Sequence, residues 1–198
     1  MNHVLKEAGK WSPKAQKMTI NTTHLTYLET KHIYQMAGQT DRFEAAKKFA
    51  LVRSPVNRVC SFYEYIASNK AHQLHEKVAE MSFAEFVVWL IDHMGDQSGI
   101  TTCFDHLTNE NDEVPSDMQV FDLTEVDERY DEILALCGFD PDQRKQLGKA
   151  GFPRLNVSEY GKYVGDVCPD STGLSLIEYL FEDDYLNFFD NHGAFRWK

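Results

Sequence analysis

An arginine and a serine, Arg53 and Ser61, could together bind an oxyanion. Arg53 follows the apolar run at residues 49–52, and Ser61 lies seven residues after Ser54, two helical turns along the same face. A planar guanidinium offers paired N–H donors and a hydroxyl adds one more, so the two groups suit a phosphate. The same pattern also fits an ordinary strand, turn and helix whose arginine forms a salt bridge.

The elements that would position these residues are a short strand and a helix. Four apolar residues at 49–52, bounded by Ser54 and Pro55, predict a short buried strand followed by a turn. Ser54 is a favourable N-cap, and Pro55 suits the first helical position because it has no N–H to leave unpaired. Arg53 would then lie at the carboxyl end of the strand, where α/β sheets bind ligands and where a helix N-terminus favours anions.

This stretch carries a resemblance to a known family. Residues 52–63, VRSPVNRVCSFY, resemble the VRDPxxRLxSxY signature of sulfotransferases, in particular the branch that contains heparan 2-O-sulfotransferases and their bacterial relatives. The resemblance implies that Arg53 and Ser61 hold the 3′-phosphate of the co-substrate 3′-phosphoadenosine 5′-phosphosulfate (PAPS). Ser54 stands where the family signature has Asp, an exchange between two good N-cap residues.

Further segments resemble other blocks of the same family, and they occur in the family's order over about residues 20–190. They are THLTYL at 23–28 (family GHxxYL), residues 121–125 with 134–138 (family FENLxxDFxxILxxLGF), residues 155–158 with Tyr163 (family LNxSxxxxY) and residues 179–188 (family LYxxDxxxF).

The resemblance implies roles for three more side chains. His24 falls on the family's proposed base, and a neutral imidazole can accept the proton of a hydroxyl group at physiological pH. Ser158 and Lys162 fall in a loop that adds phosphate contacts in similar sulfotransferases. From residue types alone, His24 could equally be a capping or surface histidine, and Ser158 and Lys162 could belong to an ordinary solvated loop.

Two other polar features are expected to be structural. Arg58 is expected to form an ion pair on its helix. Cys103 and His106 have metal-like spacing, but no second pair accompanies them, so no metal site is expected.

One family element has no counterpart in the sequence. PAPS enzymes of this kind begin with a strand and a Lys-Thr-x-x-Thr-Ser loop that holds the 5′-phosphosulfate, and no such segment occurs here. We therefore expect either that the chain starts after the first strand or that the loop is lost, and that sulfuryl transfer by the chain is weak. The alternative function is that of a non-catalytic, truncated binding protein with a sulfotransferase fold.

Composition limits the partners. The 198 residues predict a single domain (1–198), and the net charge of −11 argues against nucleic-acid binding. Residues 1–70 contain 11 Lys and Arg against 5 Asp and Glu, whereas residues 71–198 contain 9 against 26, so the basic third contains the predicted anion site.

The expected acceptor is a hydroxylated small molecule or carbohydrate. The absence of a long apolar run or signal peptide, together with four widely spaced cysteines, predicts a cytoplasmic protein without membrane contact. Whether it forms a homo-oligomer stays open.

Strands followed by helices predict an α/β fold with a parallel sheet flanked by helices. Strands are predicted at 18–21, 49–52 and 118–123. Helices are predicted at 24–36, capped by Thr22 or Thr23, at 124–136, capped by Thr124, and at 174–189. The first of these has a predicted inner stripe of Leu25, Leu28, His32 and Ile33. The resemblance implies that this is the P-loop-like sulfotransferase fold with an incomplete N-terminal strand.

Overall fold

The computed structural model describes residues 25–95, 100–152, 171–190 and 193–197. In chain order its elements are α1 (Tyr27–Met36), α2 (Thr40–Glu44), β1 (Lys48–Val52), α3 (Pro55–Ser68), α4 (His75–Val78), α5 (Phe83–Ile91), α6 (Cys103–Leu107), β2 (Met118–Asp122), a 3₁₀ turn (Leu123–Glu125), α7 (Tyr130–Leu136), α8 (Pro141–Ala150), α9 (Ser171–Leu180) and α10 (Glu182–Asn187).

Strands β1 and β2 pair in parallel and form a small sheet with helices on both sides. Lys48 pairs with Met118 at one end of the ladder, and Val52 pairs with Asp122 at the other. The predicted strands at 49–52 and 118–123 and the parallel α/β arrangement are therefore confirmed. The predicted strand at 18–21 lies outside the described residues.

The two faces of the sheet pack against different hydrophobic clusters, because successive strand side chains point in opposite directions. Ala50, Val52, Met118 and Val120 belong to the larger cluster, with side chains of α3, α5, α9 and α10. The opposite face belongs to a smaller cluster made of Phe49, Leu51, Phe121, Val126, Ile133, Leu136 and Phe152. Burial on both faces explains why residues 49–52 are apolar without alternation.

Helix α1 begins later than the sequence pattern predicts. Its N-cap is Thr26, whose hydroxyl accepts the Glu29 N–H at 3.1 Å while the Glu29 carboxylate accepts the Thr26 N–H at 2.8 Å. This reciprocal pair satisfies two donors at the helix start. The predicted start at residue 24 and the predicted cap at Thr22 or Thr23 are therefore wrong.

The predicted inner stripe of this helix is only partly right. Leu28 and His32 are exposed, Leu25 and Ile33 are partly buried, and no residue of α1 is fully buried. The helix instead contacts Phe43 of α2 through Tyr27 and Tyr34, with ring centroids 5.4 and 5.6 Å apart. Tyr27 also packs against the larger cluster, so the buried face of α1 is formed by aromatic residues that the apolar spacing did not include.

Two other helix boundaries differ from expectation. Thr124 does not cap a helix: its N–H is bound by the Asp122 carboxylate at 2.7 Å within the 3₁₀ turn, and α7 starts only at Tyr130. The helix predicted over 174–189 is interrupted at Phe181, whose φ of −120° and ψ of 30° lie outside the α-helical range. Phe181 is fully buried at this break, so α9 and α10 meet around its ring.

Helix length also bears on membrane contact. Within the described ranges, no helix is both long enough and apolar enough to cross a membrane.

Candidate functional site

Arg53 and Ser54 connect the end of β1 directly to the start of α3, as predicted. Arg53 is half-buried and Ser54 is buried, at 9% exposure. The segment 193–197 passes beside this turn, since a β-carbon at Gly193 would lie 3.6 Å from the Ser54 β-carbon. Arg53 thus lies at the carboxyl end of the parallel strands β1 and β2, in a turn that the segment 193–197 contacts.

No side chain caps the N-terminus of α3, and the same is true of α2, α4, α7 and α10. Thr26, Ser82, Thr102 and Asp140 each accept an N–H from the first turn of their helix. Ser54 occupies the N-cap position of α3 but makes no such hydrogen bond, so the predicted capping role of its side chain is wrong. Pro55 has no N–H, and the Arg58 N–H donates to the Ser54 carbonyl oxygen at 2.9 Å. The first-turn donors that Ser54 leaves uncapped are therefore the N–H groups of Val56 and Asn57.

Ser61 lies in the second turn of α3 and is half-buried. Its position on the helix that starts at Pro55 agrees with the predicted strand–turn–helix unit. The other predicted site residues, His24, Ser158 and Lys162, lie outside the described residues.

A buried polar cluster behind the turn was not predicted. Asp184 of α10 is 0% exposed, and its carboxylate accepts the backbone N–H groups of Cys103 at 3.0 Å and Phe104 at 2.8 Å. The Arg58 guanidinium approaches the same carboxylate at 3.6 Å and donates to the Cys103 sulfur at 3.3 Å. The expected ion pair of Arg58 is therefore present, but its partner is on a distant helix rather than its own.

The sequence contained one signal for this cluster. Ile177, Phe181, Asp184, Tyr185 and Phe188 follow one another at helical spacing, and all are buried. An aspartate in an otherwise apolar stripe must be paired, because an isolated buried charge is too costly. The spacing of Asp184 therefore indicates a buried polar contact, although it cannot identify the partners.

The Cys103 thiol should make stability sensitive to alkaline pH. Burial raises the pKa of Cys103 to about 11, and the nearby Asp184 carboxylate adds to the increase, whereas Arg58 and the Arg53 backbone N–H oppose it. The folded chain then holds this proton more tightly than the unfolded chain. The thiol's contribution to the free energy of unfolding is complete below its ordinary pKa, and it is lost as the pH rises through about 11.

We expect the free energy of unfolding to fall by roughly 2 kcal/mol between about pH 9 and pH 11 on account of this thiol. Urea denaturation at several pH values measures it. Cys103→Ser, which does not titrate in this range, should show a correspondingly flatter profile. The pKa of Tyr185 is raised to about 12 by burial, so some alkaline sensitivity remains in that variant. Identical profiles for the two proteins would contradict the assignment.

A groove of about 370 Å³ lies elsewhere, along α9, α10 and the segment 193–197. Its lining residues are Glu178, Tyr179, Glu182, Tyr185, Leu186 and Arg196. Arg196 donates to the carbonyl oxygens of Tyr185 at 2.7 Å and Leu186 at 3.1 Å, near the end of α10. Neither Arg53 nor Ser61 lines this groove, so it is separate from the predicted anion site.

Among the described residues, no group of three or more His, Cys, Asp and Glu side chains could hold a metal ion. Comparison of the chain with protein-family models, with curated proteins and with solved structures finds no match.

Proposed function

We propose that this chain is a PAPS-dependent sulfotransferase with a P-loop-like sulfotransferase fold. It would transfer a sulfuryl group to a hydroxyl of a small molecule or carbohydrate. The observation that carries the proposal is the turn between β1 and α3. There Arg53 follows directly on the carboxyl end of a parallel strand, and the adjoining helix N-terminus has no side-chain cap. Backbone N–H groups and a guanidinium together favour a phosphate at this position.

In the proposed site, Arg53 and Ser61 bind the 3′-phosphate of PAPS, and Ser158 and Lys162 add contacts to the nucleotide. The S–O bond to the 5′-phosphate breaks as the acceptor oxygen bonds to sulfur. His24 takes the proton of the acceptor hydroxyl, and adenosine 3′,5′-bisphosphate leaves. The role of His24 is supported by the resemblance of residues 23–28 to the family's GHxxYL segment.

The proposal includes a cytoplasmic location, since Cys103 and Cys137 are thiols and the cysteines are widely spaced in the sequence. A second candidate is a binding protein that keeps the nucleotide contacts without catalysis. Both candidates use Arg53 and Ser61 to bind the 3′-phosphate, so transfer activity is what distinguishes them.

Nucleotide titration tests both candidates. We expect the full chain to bind adenosine 3′,5′-bisphosphate at least about 30-fold more tightly than AMP, since the extra phosphate gains charge-assisted hydrogen bonds worth roughly 2–3 kcal/mol. Isothermal titration calorimetry measures the two dissociation constants. Equal affinities would overturn the proposed site. Transfer of label from radiolabelled PAPS to a panel of hydroxylated acceptors then separates an enzyme from a binding protein.

A further inference from the structure

The buried Asp184 joins three elements at one point. Its carboxylate holds the first two N–H groups of α6 through Cys103 and Phe104, and it lies 3.6 Å from Arg58 of α3. Asp184 itself belongs to α10 and is 0% exposed. Helices α3, α6 and α10 therefore share one carboxylate as a common polar contact.

The Cys103 sulfur links this group of contacts to the turn that contains the predicted anion site. Cys103 accepts a hydrogen bond from the Arg58 guanidinium at 3.3 Å, and the backbone N–H of Arg58 donates to the carbonyl oxygen of Ser54, the residue after Arg53, at 2.9 Å. Arg58 and Cys103 thus connect the turn that contains Arg53 to α6, whose first N–H groups donate to Asp184.

Direction matters for a guanidinium more than for a simple point charge. Its paired N–H donors match a phosphate only when the planar group approaches in the right orientation. Small errors in placement can remove most of the benefit of a positioned group. A buried anchor behind the turn would preserve that orientation.

We propose that Asp184 is a positioning residue for phosphate recognition, acting through Cys103 and Arg58 on Arg53. This inference rests on the proposed function, since it assumes a phosphate bound at Arg53. It assigns selectivity for the 3′-phosphate to a residue that does not touch the ligand. Two backbone N–H groups and the Arg58 guanidinium all face Asp184, and each needs an acceptor. A carboxylate can serve all three, whereas a polar side chain of the same shape that also carries donors cannot.

The test compares selectivity rather than affinity. Asp184→Asn keeps the size of the side chain but removes its charge and replaces one acceptor with a donor. Calorimetry on the full chain gives the ratio of dissociation constants for AMP and adenosine 3′,5′-bisphosphate. We expect Asp184→Asn to lower this ratio about tenfold. Loss of folded protein alone weakens both nucleotides equally and leaves the ratio unchanged.

Two further variants complete the test. Ile133→Val is buried in the smaller cluster across the sheet and serves as a control that destabilises the chain without changing the ratio. Cys103→Ala removes the sulfur but leaves the backbone N–H groups that bind Asp184. It is expected to lower the ratio and remains informative if Asp184→Asn does not fold.

An unchanged ratio in Asp184→Asn, or in Cys103→Ala where Asp184→Asn is unfolded, would overturn the inference and make Asp184 purely structural. A ratio near one in the unmodified chain is a different failure. It would remove the proposed phosphate site itself, and this inference with it.

Discussion

Arg53→Ala is expected to weaken binding of adenosine 3′,5′-bisphosphate by about 2–3 kcal/mol, or roughly 30- to 150-fold in the dissociation constant. The reason is geometric. Arg53 is half-buried in the two-residue turn between β1 and α3, so a phosphate bound there is partly removed from water. Charge-assisted hydrogen bonds are stronger in such a setting than on an exposed surface.

Three comparisons decide whether the loss comes from phosphate recognition. AMP lacks the 3′-phosphate, so its affinity should change little in Arg53→Ala. Arg53→Lys keeps the charge but not the planar pair of donors, and should recover only part of the loss. Arg42→Ala removes an exposed arginine from the same basic third of the chain and should leave both affinities near their starting values. Equal losses for both nucleotides in Arg53→Ala would show that the side chain supports the fold and not the 3′-phosphate.

Local signals were sufficient for the central unit of this fold. The apolar run before Arg53 and the Ser54-Pro55 pair predicted strand, turn and helix. In the structure β1 begins one residue earlier than predicted, and α3 begins at Pro55 as predicted. Strand β2 was predicted in the same way. In each case the decisive information lies within a few residues of the element, which is why sequence alone could supply it.

Contacts between distant segments were not accessible in the same way. Asp184 lies 81 residues from Cys103 in the chain, and no local pattern indicates that the two would meet. The interruption at Phe181 has the same origin, because its ring is buried between helices that a single-sequence pattern treats as one. Ser54 shows the reverse error, since a residue typical of N-caps occupies the cap position without forming the bond.

The candidate site was accessible only in part. Arg53 and Ser61 could be placed because both belong to the central unit. His24, Ser158 and Lys162 were assigned through the family resemblance alone, and they stay predictions. The order of the resembling segments along the chain relates these residues to one another in sequence, but a common site requires tertiary contacts that residue order does not determine.

The largest effect on stability is expected from Asp184→Ala, which should lower the free energy of unfolding by about 3–5 kcal/mol. The substitution leaves two backbone N–H groups at the start of α6 without their acceptor and leaves Arg58 without its anion. Burial raises the pKa of Asp184, so the carboxylate is itself held at a cost. Its stabilising effect therefore depends on the groups that it binds.

Arg58→Met provides the matched comparison. Asp184 would keep both N–H donors, and the lost contact is a 3.6 Å pair to an arginine side chain that is 23% exposed. We expect a smaller loss, about 1–2 kcal/mol. In the double variant the loss should be less than the sum of the two single losses, because Arg58 can no longer be left unpaired.

Asp183→Ala tests whether position on α10 matters by itself. Asp183 is the exposed neighbour of Asp184 in the same first helical turn, and its removal should cost less than about 1 kcal/mol. Guanidinium chloride denaturation at neutral pH measures all four variants. If Arg58→Met costs as much as Asp184→Ala, the ion pair rather than the two N–H bonds is the main contribution of this carboxylate. The coupling between α6 and α10 would then depend on the guanidinium of α3.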